Sequence, residues 1–588
     1  MLDNQRDRLE YGQLLRPEYY GKVNFAVGLT YSLDLEAMLS VPICFGMLDD
    51  IDLTRYKNKA YLLEAIRRTG DRFAFFCNAG SMKVPAKNPL FSLLESNIFE
   101  IKVDPKNPRY NFHPKLWVIE YTEGEKTMIK VIVLSRNMTF DRSLDIAVEM
   151  HGEVTNKQNQ KNKPLADLLE YVLPSASRSK RIKIKKLMNN LMHVESFELS
   201  REFEDYDFFP FGFGRYRHTA SKLLSGARDL IVVSPFLSKT EVRLITKNVW
   251  QKTLITRTNS VNEDIYDAFD GEVYAVRDHI QDDSILDEGN DSDAPKREVH
   301  AKFYYIHKSE RGVMTNYLYI GSLNLSHNAF ENNIELLLRL KHKNKNSVYK
   351  KIKDELLPEK FNPFQILMES DALEEKEAEV NISLDEAVYS IKGATLKKQK
   401  DGNYTVVVEC DETMFNYEVE ISPYQFQKFT KLQRVTEIRD IPLSKLSKLF
   451  ELRREGKSVL TKIDIKDFPY EERDNEIYNE IISDKEKFLS YVTGFFDDSF
   501  LYDSVISDSP KGSRESVSSS DSVNYHSLYE SMLEAGARSP ERLKGLEDIV
   551  RRLKDDRVPN ELKIIVEKFR KTAGRKKYAA KRFSEKNC

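Results

Sequence analysis

The sequence predicts an α/β protein: a duplicated core of two lobes with one shared site, then a small antiparallel β module and a helical C-terminal region. Three observations predict it. Apolar strands alternate with helical spacing in the opening third, the same order of elements returns about two hundred residues later, and composition changes after residue 345. The first unit opens with Lys22–Tyr31, a largely apolar strand. Asn58–Arg68 comes next with apolar residues at helical spacing, and Arg72–Cys77 is a second strand. Leu116–Glu120 and Met128–Leu134 form the arms of a hairpin turned at Glu123–Lys126. In the second unit Asp229–Phe236 and Lys252–Thr256 are strands, and Lys302–Ile306 with Tyr317–Ile320 make the matching hairpin ahead of the apolar run Ile334–Leu340.

The expected domains are a first lobe over 1–150, a connector over 151–226, and a second lobe over 227–345. A β module over 380–435 and a mainly helical region over 436–588 complete the chain, the latter holding a Ser-rich linker (503–523) and a basic tail. The connector carries Arg178–Lys186, with six basic residues and no acid, and the aromatic stretch Asp205–Arg217. We read the first as a helix face or strut, and the second as core and turn. The acidic stretch Asp282–Asp293 reads as a solvated insertion.

Composition narrows the function classes. With 91 Lys+Arg against 93 Asp+Glu, the net charge of −2 confines any nucleic-acid surface to a local patch. Hydrophobic residues at 40% and aromatic residues at 11% exclude wholesale disorder. No apolar run reaches the roughly 18 residues that span a bilayer, so no integral membrane segment is expected. Met1–Tyr20 has no apolar signal region. The four cysteines (Cys44, Cys77, Cys410 and Cys588) form no C-x-x-C pair, which fits neither a disulfide framework nor a zinc site. A reducing cytoplasm is the expected location.

Chemistry concentrates in two H-x-K triplets, His113-Pro114-Lys115 and His300-Ala301-Lys302. A single triplet of this kind arises by chance, but two with matching downstream residues do not. Ser135-Arg136-Asn137 lies downstream of the first and Ser322-Leu323-Asn324 downstream of the second, and both His-to-Asn separations are 24 residues. On a strand, residues i and i+2 share a face, so each His projects with its Lys. A hairpin returns Ser and Asn beside them. Two such half-sites face to face would hold a phosphate among two lysines, two amides and two hydroxyls, with an imidazole on either side of phosphorus. One imidazole can attack while the other protonates the leaving oxygen and then activates water. That chemistry needs no metal and no cofactor.

These paired motifs resemble the phospholipase D superfamily, whose mark is two H-x-K…S-x-N half-sites in a duplicated α/β fold. The resemblance covers about residues 22–342. It implies catalytic roles for His113, Lys115, Asn137, His300, Lys302 and Asn324, and substrate contacts from Ser135 and Ser322. His113 is implied as nucleophile and His300 as general acid, although the residues themselves do not separate the roles. Glu335 and either Asp145 or Glu149 are implied as the groups that orient each His. The Asp of the lipid-cleaving pattern is missing: Glu120 and His307 stand at those places. With the wording Gly321–Ser326, this is similar to the tyrosyl-DNA phosphodiesterase and metal-independent nuclease branches. The first motif departs by Leu134 where the second has Gly321, and by Arg136 inside it. The expected function is metal-independent phosphodiester hydrolysis of nucleic acid, DNA or RNA, through a phosphohistidine, in a setting of bacterial defence or repair. Partner proteins are expected on the C-terminal region. The alternatives are a phospholipase or phosphatidyl transferase, and a phosphate-binding scaffold without catalysis.

Overall fold

Six strands form the first sheet: β1 (Lys22–Leu29), β2 (Phe73–Asn78), β3 (Ile98–Ile101), β4 (Leu116–Glu123), β5 (Lys126–Leu134) and β6 (Ala147–Glu153). Their spatial order is β3-β2-β1-β4-β5-β6. The first three are parallel and the rest antiparallel. β2 is buried at all six positions, as a parallel strand covered on both faces must be. The computed structural model describes residues 11–17, 21–46, 59–139, 143–276, 299–359, 362–369, 382–411, 418–484, 487–488, 549–554 and 558. The acidic insertion, the Ser-rich linker and the basic tail lie outside these residues.

The second lobe repeats the plan. β8 (Asp229–Val233), β9 (Gln251–Thr256), β10 (Glu272–Val276), β11 (Phe303–Glu310), β12 (Val313–Gly321) and β13 (Glu335–His342) stand in the order β10-β9-β8-β11-β12-β13. Two edge strands extend it: β7 (Phe203–Phe211) beside β13, and β14 (Phe364–Ile366) beside β10. Both sheets turn one face into a common core, where Val27, Leu116 and Val131 of the first meet Val233, Phe303 and Leu338 of the second. Among the described residues no helix is long and apolar enough to cross a membrane.

Two boundaries differ from expectation. The first part of the connector's aromatic stretch, through Phe211, lies in β7, because buried positions Phe203, Tyr206 and Phe208 pair with β13 and complete the second sheet, and Gly214–Tyr216 turns after it. The β module also continues well past residue 435. Its sheets are β15 (Ile391–Lys398), β16 (Tyr404–Cys410) and β19 (Val435–Ile441), and β17 (Glu420–Pro423), β18 (Thr430–Lys431), β20 (Leu449–Arg454) and β21 (Lys457–Lys462). Charged residues on the outer face of β20 and β21 imitate a polar helix surface in one dimension. The Glu455-Gly456 turn, left-handed at both residues, makes them a hairpin instead. Within the helical region, Tyr470–Ile481 is a helix.

The basic segment lies on helix Arg178–Met192. Ile184, Leu187 and Leu191 face the common core, and Lys180 and Lys183 reach the carbonyls of Gly70 and Asp71 in the first lobe. Part of its charge therefore works as a strut.

Candidate active site

Each H-x-K triplet sits just ahead of a strand rather than inside one: β4 begins at Leu116 and β11 at Phe303. Each Ser comes directly after the last residue of the hairpin's second strand, Leu134 or Gly321. Matching backbone bonds set the register. The Leu134 amide donates to the Lys115 carbonyl at 3.1 Å, and the Gly321 amide to the Lys302 carbonyl at 3.4 Å. The Ser135 amide donates to Ile146 and the Ser322 amide to Leu336, each at 2.9 Å. In return the Ile146 amide donates to Ser135 Oγ at 2.9 Å, and the Leu336 amide to Ser322 Oγ at 3.0 Å. Asp145 and Glu335 are thereby equivalent positions.

The lobes then exchange partners. Phe112 makes a parallel bridge with Ile334 of the other lobe, and the His113 amide donates to the Ile334 carbonyl at 2.9 Å. Reciprocally, Val299 bridges Leu144, and the His300 amide donates to the Leu144 carbonyl at 3.1 Å. The two half-sites clasp across a local twofold. As a result His113 Nδ1 lies 2.8 Å from Glu335 Oε2, a fully buried carboxylate of the opposite lobe. Glu335 also accepts from Ser322 Oγ, and its Oε1 accepts from Asn333 Nδ2 at 3.2 Å. Asn333 Oδ1 in turn accepts the Asn111 amide at 3.0 Å. With Nδ1–H held by the carboxylate, the ring's lone pair is on Nε2.

The two motif lysines lie within each other's field. Lys115 and Lys302 are each 1% exposed. Each ammonium donates to the carbonyl of the His two residues before it, Lys115 at 2.8 Å. Burial, then the Lys302 ammonium, push Lys115 well below the usual lysine range, while Glu335 and Asp145 act the other way. Burial is also the largest influence on His113, which is pulled down to about 4; Glu335 opposes it, and Lys115 and Lys302 reinforce it. The Tyr31 ring packs 5.3 Å from the imidazole and 5.9 Å from the Lys115 ammonium. Two buried ammonium groups from different lobes, close enough to act on each other, are suited to an anion between them.

The remaining expected residues divide. Thr30 Oγ1 donates to Asn137 Oδ1 at 3.5 Å. Asn324 is 6% exposed, and among the described residues nothing donates to its Oδ1. Ser135 and Ser322 are fully buried and spend their hydroxyls on the carboxylates (Ser135 on Asp145 at 2.9 Å) and on backbone amides. They position the orienting groups. Glu149 does not reach the site. It is the third residue of β6 and pairs with Lys130 at 2.8 Å, whereas Asp145 precedes that strand at the site end. Arg136 turns aside, with Nη2 donating to the Thr139 carbonyl.

Glu120 and His307, at the places of the missing Asp, lie five residues along β4 and β11 from the lysines, roughly 17 Å at strand rise. Both are buried in packing networks, Glu120 with Asn190 at 2.8 Å and His307 with Asp229 at 3.0 Å. That position bears on the core rather than on the choice of substrate. Spacing had no access to Tyr31, Asn111 or Asn333, since nothing in the chain places them near a motif.

No family model matches the chain, and no curated protein matches it. Solved structures similar to it include the phosphatidylserine synthase of Haemophilus influenzae Rd KW20, at 11% identity and a TM-score of 0.34, over 62% of this chain and 86% of that one. The polyphosphate kinase of Porphyromonas gingivalis is similar at 12% identity and a TM-score of 0.33, over 64% of this chain and about half (49%) of that one. At such scores the likeness carries nothing about function.

Proposed function

We propose that this chain is a metal-independent phosphodiesterase of the phospholipase D type that cleaves nucleic acid through a phosphohistidine intermediate. One observation carries the reading: reciprocal bridging of the half-sites pairs His113 with Glu335 of the opposite lobe and puts Lys115 and Lys302 within each other's field. Nε2 of neutral His113 attacks phosphorus, and the P–O bond to the leaving group breaks as His300 supplies that oxygen's proton. The same ring then takes a proton from water, whose oxygen displaces the imidazole and releases the phosphate. Lys115, Lys302, Asn137 and Asn324 hold the equatorial oxygens and offset the charge of the transition state. Glu335 fixes the His113 tautomer, and Asp145 is proposed to do so for His300.

Nucleic acid is preferred as substrate on the wording Gly321–Ser326 and on the exposed cations Arg178 and Lys185 of the basic helix. The missing Asp does not count toward it, because that position lies in the core. The test is incubation with labelled single- and double-stranded DNA and RNA, and in parallel with phosphatidylcholine vesicles, all in excess EDTA. Cleavage of a nucleic acid, abolished by His113→Ala and by His300→Ala, is the expected result. Lipid turnover without nucleic-acid turnover would replace the substrate class. A biological effect that survives both substitutions would leave only a scaffold.

A further inference from the structure

The second lobe carries a cavity of about 540 Å³ at the end of its sheet away from the candidate active site. Asp229 and Gln251, the first residues of β8 and β9, line it together with His307 near the far end of β11. Trp250, 78% exposed, also lines it. The Arg228 guanidinium lies 5.7 Å from the indole centroid, covering one face and leaving the other for a stacking partner. Lys350 also lines the cavity, and among the described residues no carboxylate pairs with it or with Arg228. The acid in the floor is already committed: Asp229 accepts from Ser347 Oγ at 2.5 Å and is bound by His307 Nδ1 at 3.0 Å, both partners of a residue only 6% exposed. The side chains of Gln251 and Asn346 add amide donors and acceptors to the lining.

A planar platform, cations without carboxylate partners and amides are the chemistry that recognises a nucleotide. We propose that this cavity binds a nucleotide unit, its base stacked on the open face of Trp250, its edge toward the Gln251 and Asn346 amides, and its phosphate on Arg228 and Lys350. A free nucleotide and an unpaired nucleotide within a strand offer the same groups. The site does not depend on the catalytic reading, since it shares no residue with the two half-sites.

Trp250 reports on it directly, because the second tryptophan of the chain, Trp117, is 1% exposed in the core. The full-length His113→Ala protein, titrated with AMP and separately with a short single-stranded DNA, should show saturable quenching of tryptophan fluorescence. The Trp250→Phe variant should lose that signal. By calorimetry, Trp250→Ala and Lys350→Glu should each weaken binding on the order of tenfold, with inorganic phosphate alone binding more weakly than AMP. Quenching by DNA but not by AMP keeps the proposal and makes a strand the source. No saturable change with either ligand up to about 10 mM, or a change that persists in Trp250→Phe, overturns it. A protein that cleaves nothing would refute the proposed reaction and leave this result standing.

Discussion

At His113, burial and the neighbouring lysines favour the neutral ring, and Glu335 favours the imidazolium; the balance lies at about 4. The nucleophile of the proposed reaction is therefore ready across the neutral range, and its loss in kcat/KM should fall near pH 4 rather than near 6.5. Glu335→Gln removes the group that raises this value, so it should move that limb lower while cutting kcat on the order of 10²-fold. A pH–rate profile of both proteins checks this. Stability depends on the same proton. The folded value is depressed, so between about pH 6.5 and 4 the unfolded chain binds more protons, and stability falls as pH falls through that window. His113→Asn should flatten this part of the dependence, measured as the shift in urea midpoint between pH 7 and pH 4.5 relative to the wild type. That His113 and Lys115 act on each other was legible because the triplet fixes their spacing. Glu335 could not be paired with a particular His in that way, because its partner stands 222 positions away in the other lobe. Glu149 was misplaced because one dimension does not reveal that β6 starts at Ala147, leaving Asp145 at the site end.

At the scale of elements, the hairpins deliver Ser and Lys to one end of each sheet, and in the second lobe the neighbouring strand β13 comes very close there. A side chain at Gly321 would place its Cβ 2.1 Å from the Leu336 carbonyl oxygen, in backbone that cannot yield without moving Glu335. Gly321→Ala should destabilise the protein by at least about 1–3 kcal/mol and lower activity beyond what stability explains. Denaturant unfolding, with kcat measured well below the transition, separates the two effects. The central strands of both lobes were readable from apolar runs, since central parallel strands are buried throughout. The β20–β21 hairpin was not, since its alternating charges satisfy a solvent face in either periodicity.

Across the whole molecule, the β module and the helix Tyr470–Ile481 after it are fastened to the first lobe by buried polar contacts. Arg473, fully buried, donates to Glu95 at 2.6 Å and to the Ser92 carbonyl at 3.0 Å, while Glu95 accepts from Ser447 Oγ at 2.8 Å. Lys462 reaches the carbonyls of Glu95 and Ile98. Removing one partner leaves a charge buried without its counterion, so Arg473→Ala should cost about 3–5 kcal/mol in urea unfolding. The double replacement Arg473→Met with Glu95→Leu should cost less. None of this docking was legible in the sequence, because its residues are about 350 positions or more apart. The duplication was, because two copies of one pattern announce themselves by spacing alone.

The proposed chemistry stands on the clasp of the two lobes around one anion pocket, and trapping the intermediate tests it most directly. Full-length protein mixed with labelled single-stranded DNA in EDTA, quenched within the first turnovers and digested for mass spectrometry, should yield a phosphorylated histidine at position 113 that is absent in His113→Ala. Cleavage that requires a divalent cation, or that proceeds unchanged when both His113 and His300 are replaced by Ala, would contradict it.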